Sequence, residues 1–166
     1  MKKLFLSIFF LSSLIYTSWS QDFLGFEFTT GNDRIDYKNA EPKALEAACF
    51  LLSMAFDSSR NERDKALTYI LMWMEGTPDF VFYIDENIDE FTNSSKGLLA
   101  VYMACLTKIS LENPLLAKDR NELKFKSIEY FLGYCLDPSN HVKSYRQLEL
   151  LVKARDKGNL RSYIEN

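Results

Sequence analysis

The sequence predicts an all-α protein, an irregular bundle or short stack of antiparallel helical hairpins with about five main helices. Three observations predict it. Apolar residues recur at steps of three and four, or crowd every face of a run, as in PKALEAACFLLSMAF and LLAVYMACL; that is the pattern of buried helices. The runs are separated by corners rich in Gly, Pro and Asn, at Gly76-Thr77-Pro78, Asn113-Pro114, Asp137-Pro138-Ser139-Asn140 and Gly158-Asn159. No repeat imposes a solenoid: helix cores begin near Ala44, Ala66, Leu98, Ser127 and Tyr145 at uneven spacing, and the tetratricopeptide residues do not recur.

Residues 1–20, MKKLFLSIFFLSSLIYTSWS, read as a secretory signal peptide: Lys2 and Lys3, then an apolar core from Leu4 to Tyr16, then small Ser18 and Ser20 before a cut at Gln21. The apolar core is shorter than the roughly 20 residues of a spanning helix. No later stretch is long and apolar enough, so no membrane span is expected after cleavage, and the protein is expected to be secreted or periplasmic. Residues 21–40 read as an extended lead-in, and residues 41–166 as a single helical domain.

Within that domain Pro42 suits a first helical position. The segment from Asp57 to Arg60 breaks the first helix, and Asn61 is placed to cap the second. Gly76 is expected to end it in a left-handed cap, and Pro78 prevents resumption. Asp79 to Ile84 is extended, with Phe80, Phe82 and Ile84 on one side, and Asp85 to Phe91 is a short acidic turn of helix. Ser94 or Ser95 caps a helix running to about Glu112. Another runs from about Asp119 to Leu136, with Leu123, Ile128, Phe131, Leu132 and Cys135 as its apolar face. A last long helix is expected from about Val142 to Arg155, before a short terminal piece carrying Leu160, Tyr163 and Ile164.

Composition narrows the function classes. Removing the leader takes away Lys2 and Lys3 and no acid, moving the formal charge from −3 to −5. A chain this acidic is not expected to bind nucleic acid, whose phosphates are held by Lys and Arg. Cys49, Cys105 and Cys135 each sit in an apolar run and read as small buried hydrophobes, with one disulfide between two of them as the alternative. Their spacing matches no zinc pattern, and no cofactor is implied.

Asp85-Glu86-Asn87-Ile88-Asp89 matches the first, third and fifth positions of a calcium-binding EF-hand loop. Glu90 stands where the turn glycine belongs, however, and Lys96 where the bidentate glutamate belongs. An acidic helix start is the better account. The only histidine, His141, follows a turn and is expected to face solvent; a pairing with Cys135 is the sharper alternative. Basic residues from Lys143 to Arg161 read as a solvated face. Asn93-Ser94-Ser95 is formally a glycosylation acceptor, of consequence only in a eukaryotic cell.

The stretch LMWMEGTPDFVFYI carries the one aromatic concentration. Its plain reading is packing: the Gly-Thr-Pro-Asp corner ends a helix, the rings close the core, and a carbonyl near Gly76 or Asp79 receives the indole N–H of Trp73. Its sharper reading is a ligand cleft built from Trp73, Asp79, Phe80, Phe82 and Tyr83. Asp79, beside two rings, would be partly desolvated and so able to act as a general acid or base.

WMEGTPDF, LLAVYMACL and the ending RQLELLVKARDKGNLRSYI together resemble small secreted all-helical bacterial proteins of uncharacterised function. The resemblance covers most of the chain after the leader and implies an export signal followed by one helical domain. It implies no activity and transfers no functional residue. The expectation is therefore an exported, non-enzymatic binding or interaction domain for a protein, a peptide or an apolar ligand. The competing classes are a small periplasmic enzyme using a carboxylate near the Trp73–Tyr83 corner, and a structural subunit that meets copies of itself.

Overall fold

The computed structural model describes residues 34–58 and 60–165. The expected signal peptide, its Ser18, Ser20 and Gln21 cleavage site and most of the expected lead-in lie outside them. Seven α-helices follow in order: α1 (Arg34–Ser53), α2 (Arg60–Gly76), α3 (Glu86–Phe91), α4 (Lys96–Glu112), α5 (Arg120–Leu136), α6 (Arg146–Asp156) and α7 (Leu160–Glu165). Short 3-10 turns at Leu116–Lys118 and Pro138–Asn140 fill two of the connections. Among the described residues there is no strand. The all-α expectation holds, with five long helices and two of 6 residues.

The first helix begins earlier than Pro42. The end of the expected lead-in is helical, and Pro42 lies inside α1. An interior proline forfeits a main-chain hydrogen bond at a cost of about 3 kcal/mol. The turn before it is held by tertiary contacts that this local reasoning does not contain. Ala40 is buried, its carbonyl accepts a hydrogen bond from Tyr69 Oη at 3.5 Å, and the Tyr37 ring packs on Gly76. Asn61 likewise lies within the first turn of α2 and does not precede it.

These contacts also orient the pair. Tyr37 near the start of α1 meets Gly76 at the end of α2, whereas the carbonyls of Met54 and Ala55, just past α1, meet Arg63 near the start of α2. The two helices are therefore antiparallel. Gly76 does not adopt the left-handed conformation expected of it; Gly158 is the only glycine with positive φ among the described residues. Thr77 N–H donates to Trp73 O at 3.0 Å, so the helical pattern runs through Gly76. Glycine is required there for closeness: a Cβ would lie 1.8 Å from Tyr37 Cζ.

α4 is the centre. From Leu98 to Ser110 most of its residues are buried on every face, with α1 and α2 on one side and α5 on the other. Gly97 lies against Phe56, just beyond α1, and Lys108 reaches back to Cys49 within it, so α1 and α4 are also antiparallel. Ser95 caps α4, its Oγ accepting from Leu98 N–H at 3.4 Å, and Asp119 caps α5 through the N–H groups of Asn121 and Glu122. Tyr102 and Phe131 meet edge to face across the α4–α5 contact, their centroids 6.3 Å apart.

α6 and α7 cover the far side of α5. α6 starts at Arg146, four residues later than expected. His141 takes a left-handed φ of 55°, the chain runs extended to Tyr145, and Tyr145 Oη donates to Phe91 O at 2.7 Å, fixing α6 against α3. The closing helix is held by Arg161, which lies 2.6 Å from Glu122 and stacks over Phe125.

All three cysteines are free. Burial pushes the Cys105 thiol well up and raises that of Cys135 to about 12, so neither is a ready nucleophile. His141 is exposed and lies 2.9 Å from Asp57, so it does not partner Cys135. Two expectations follow. A thiol reagent under native conditions should modify no cysteine faster than Cys49, with Cys105 and Cys135 reacting only after denaturation; quantitative labelling followed by mass analysis checks this. Gly76→Ala should cost about 1–3 kcal/mol by overpacking against Tyr37. The double variant Tyr37→Ala/Gly76→Ala should show a coupling of opposite sign in urea denaturation.

Candidate functional site

The aromatic corner is built where α2 stops and the chain crosses toward α5. Arg63, Ala66, Ile70 and Trp73 follow three- and four-residue steps along the inner face of α2, which puts Trp73 at its buried end. From Thr77 to Asp85 the chain is a strap without regular secondary structure that bends at Pro78 and Asp79. Thr77 Oγ1 accepts from the Asp79 N–H at 3.4 Å and shapes the corner. Alternation then turns Phe80 and Phe82 inward, to 5.6 and 5.7 Å from the Trp73 ring, with 6.2 Å between the two phenylalanines.

Packing wins here over a ligand cleft. Trp73 is 0% exposed, so nothing reaches its ring without opening the core. The structure brings Trp73, Phe80 and Phe82 together and sends Tyr83 and Asp79 elsewhere. Tyr83 faces outward with the Arg120 guanidinium 4.0 Å from its ring centroid. Asp79 is exposed. Its charge is felt at Lys38, whose ammonium is held above its ordinary range mainly by a hydrogen bond to Glu41 and in smaller part by Asp79. Neither Asp79 nor a carbonyl near Gly76 takes the indole N–H: Trp73 Nε1 is buried with no partner among the described residues. An unmet buried donor of this kind costs about 1–3 kcal/mol.

Ile84, expected on one side with Phe80 and Phe82, is instead exposed. The reason is the anchoring of the next residue. Asp85 pairs with Lys124 of α5 at 2.9 Å and accepts from Ile88 N–H to cap α3, which twists the end of the strap away from the core. These are also the contacts that occupy the EF-hand-like residues. Asp85 is a helix cap, Asp89 accepts from Ser94 Oγ at 2.9 Å, and among the described residues no group of three His, Cys, Asp or Glu is placed to hold a metal.

The outer side of the strap is open. Val81, Tyr83 and Ile84 are 65%, 49% and 41% exposed. From Phe80 to Ile84 no main-chain N–H or C=O finds a hydrogen-bond partner among the described residues. A groove between α5 and α6, about 620 Å³ in volume, is lined by Val142, Leu148 and Val152 with Glu149 and Lys153 at its edge.

The other end of α2 holds a charged residue that periodicity reasoning passed over. Arg63 is buried, and its Nη1 donates to the carbonyls of Met54 and Ala55 and to Tyr134 Oη at 3.3–3.4 Å. Tyr134 Oη in turn donates to Met54 O at 2.8 Å, and Asn140 joins the two loops by donating to Tyr134 O and accepting from Phe56 N–H. The signal was present: Arg63 occupies a core-facing position in an otherwise apolar stripe.

No protein-family model, curated protein or solved structure matches the chain. The orphan indole N–H separates two truncations of the corner. Trp73→Ala should cost about 3–5 kcal/mol as a large buried ring is lost. Trp73→Phe should cost clearly less, because it removes the unmet donor together with part of the ring. Chemical denaturation followed by circular dichroism measures both.

Proposed function

We propose that the protein is an exported, non-enzymatic binding domain that receives an extended peptide segment of a partner along the strap from Asp79 to Asp85. The observation that carries this reading is the row of main-chain donors and acceptors from Phe80 to Ile84 without hydrogen-bond partners among the described residues, beside the exposed side chains of Val81, Tyr83 and Ile84. An added strand would satisfy those groups, and its own alternate side chains would rest against the outer residues. The strap is held on its inner side by Phe80 and Phe82 against Trp73 and at its far end by the Asp85–Lys124 pair. A segment already held in place at both ends loses little conformational entropy on binding. Export is supported by the charged, apolar and small-residue order of the first twenty residues.

The aromatic corner keeps a part in this reading as the anchor of the surface. Selection of peptides on the immobilised chain, followed by amide mapping, tests it. Binders should shift the amides of Phe80 to Ile84. Proline at Val81 and at Ile84 removes an N–H from opposite edges of the extended segment. One of the two variants should lose at least about tenfold in affinity, roughly 1.4 kcal/mol, and the other should not. If both bind as the parent does, or selected peptides leave the strap amides unmoved, the strap is not the site.

A further inference from the structure

The cysteines differ in what surrounds them. Cys105 and Cys135 are buried, and that burial pushes their thiols up, whereas Cys49 of α1 is only partly buried. Cys49 also faces an amine. Lys108 of α4 stands 59 positions further along the chain, and its Nζ donates to Cys49 Sγ at 3.7 Å. A nucleophilic sulfur and a nucleophilic nitrogen on two different helices are thus already in contact.

Lys108 is held there from three sides. Glu112, one turn on, accepts from its Nζ, the Tyr130 ring of α5 lies with its centroid 5.9 Å away, and Cys49 closes the third side. Only 15% of the Lys108 side chain is exposed, so its nitrogen stays beside the sulfur while the helices remain packed. A lysine free in water would spread over many rotamers. Glu112 and Tyr130 also line an open groove of about 710 Å³ where the ends of α1 and α4 meet α5.

We propose that Cys49 and Lys108 form an oxidant-responsive modification site, at which hydrogen peroxide converts the contact into a reversible sulfur–nitrogen bond between α1 and α4. The Cys49 sulfur attacks one peroxide oxygen, the O–O bond breaks, and sulfur is oxidised to a sulfenic acid as a water leaves. The lone pair of the neutral Lys108 Nζ then attacks that sulfur. The S–O bond breaks, the departing hydroxide takes a proton from the nitrogen as a second water, and a sulfenamide S–N bond remains. Thiol, amine and one peroxide therefore give the sulfenamide and two waters. A sulfenic acid condenses with a thiol or a nitrogen within its reach, and here the nitrogen is in place. Two external thiols, oxidised to their disulfide, return free Cys49 and Lys108. The site lies apart from the strap and does not depend on peptide binding there.

Burial works against the charge on Lys108, but the hydrogen bond to Glu112 and the facing Cys49 and Tyr130 outweigh it and hold the ammonium above its ordinary range. Cys105, one turn earlier on α4, stays a neutral thiol because it is buried. Condensation needs the neutral amine, so it quickens as pH climbs toward the Lys108 range, and near neutrality the sulfenic acid outlives its formation.

Treatment of the full chain with hydrogen peroxide, followed by intact mass and trypsin mapping, tests the proposal. The cross-linked chain should be lighter by about 2 Da, and dithiothreitol should restore the parent mass. Trypsin should no longer cut after Lys108, and the Cys49 peptide should be joined to the peptide carrying that uncut site. With dimedone present as a trap for sulfenic acid, the ratio of cross-link to Cys49 adduct should rise at least about tenfold from about pH 7 to about pH 9. Lys108→Arg keeps the charge and should leave Cys49 oxidised but unlinked, while Cys105→Ala should leave the cross-link as it is. The mapping of the parent chain decides even if a variant folds poorly. A disulfide to Cys105, which would leave the cut after Lys108 intact, would overturn the proposal. So would oxygen addition at Cys49 with no cross-link, a ratio indifferent to pH, or a cross-link that persists in Lys108→Arg.

Discussion

The rest of the molecule is arranged around the burial of α4. LLAVYMACL offers water almost no polar face, so the helix is stable only if other helices surround it. α1 and α2 close one side and α5 the other, and each fully buried large apolar side chain contributes about 1.5–3 kcal/mol. That single demand explains why α1, α2 and α5 all pack against α4. It also explains why small residues recur at the contacts. Ala44, Ala47 and Ala48 of α1 are buried along with Ala100 and Ala104 of α4, which lets the backbones approach closely. α6 and α7 then pack against α5, and α6 also against α3.

Polar groups secure the two ends of this arrangement in different ways. At one end Arg63 reaches the carbonyls of Met54 and Ala55 just past α1, Tyr134 shares that of Met54, and Asn140 ties the loop after α1 to the loop after α5. The guanidinium thus neutralises the negative end of α1 while joining three helices. Buried charge of this kind is weak evidence for stability, because its desolvation offsets much of what its hydrogen bonds contribute. At the other end the closure is almost wholly apolar. Three rings pack without a partner for the indole N–H, and glycine admits the Tyr37 ring where any side chain would collide.

The strap joins these themes. Its alternate residues lie on opposite sides because an extended chain has a period of two, so what anchors it and what it displays are necessarily different residues. Phe80 and Phe82 hold it down, which is why the corner that looks richest in ligand-binding side chains is closed to ligands. Val81 and Tyr83 are displayed because their neighbours are buried.

Much of this was legible in the chain. The all-α class, the extents of α4 and α5, a serine cap on α4 at Ser94 or Ser95, the placing of Phe80 and Phe82 on one side and the packing reading of Trp73 all follow from local periodicity and capping chemistry, which act over a few residues and need no knowledge of neighbours. Tertiary structure alone decided the remainder. Pro42 is carried inside a helix because Tyr37 and Ala40 find distant partners. Gly76 serves closeness where a left-handed turn was expected. Ile84 is turned out beside the Asp85–Lys124 pair, and Asp79 lies exposed, its charge felt at Lys38. Arg63 meets Tyr134 from far along the sequence, and Lys108 meets Cys49 only once α1 and α4 are packed. In each case the deciding energy is a contact between residues remote in the chain, and no local pattern encodes the distance between them.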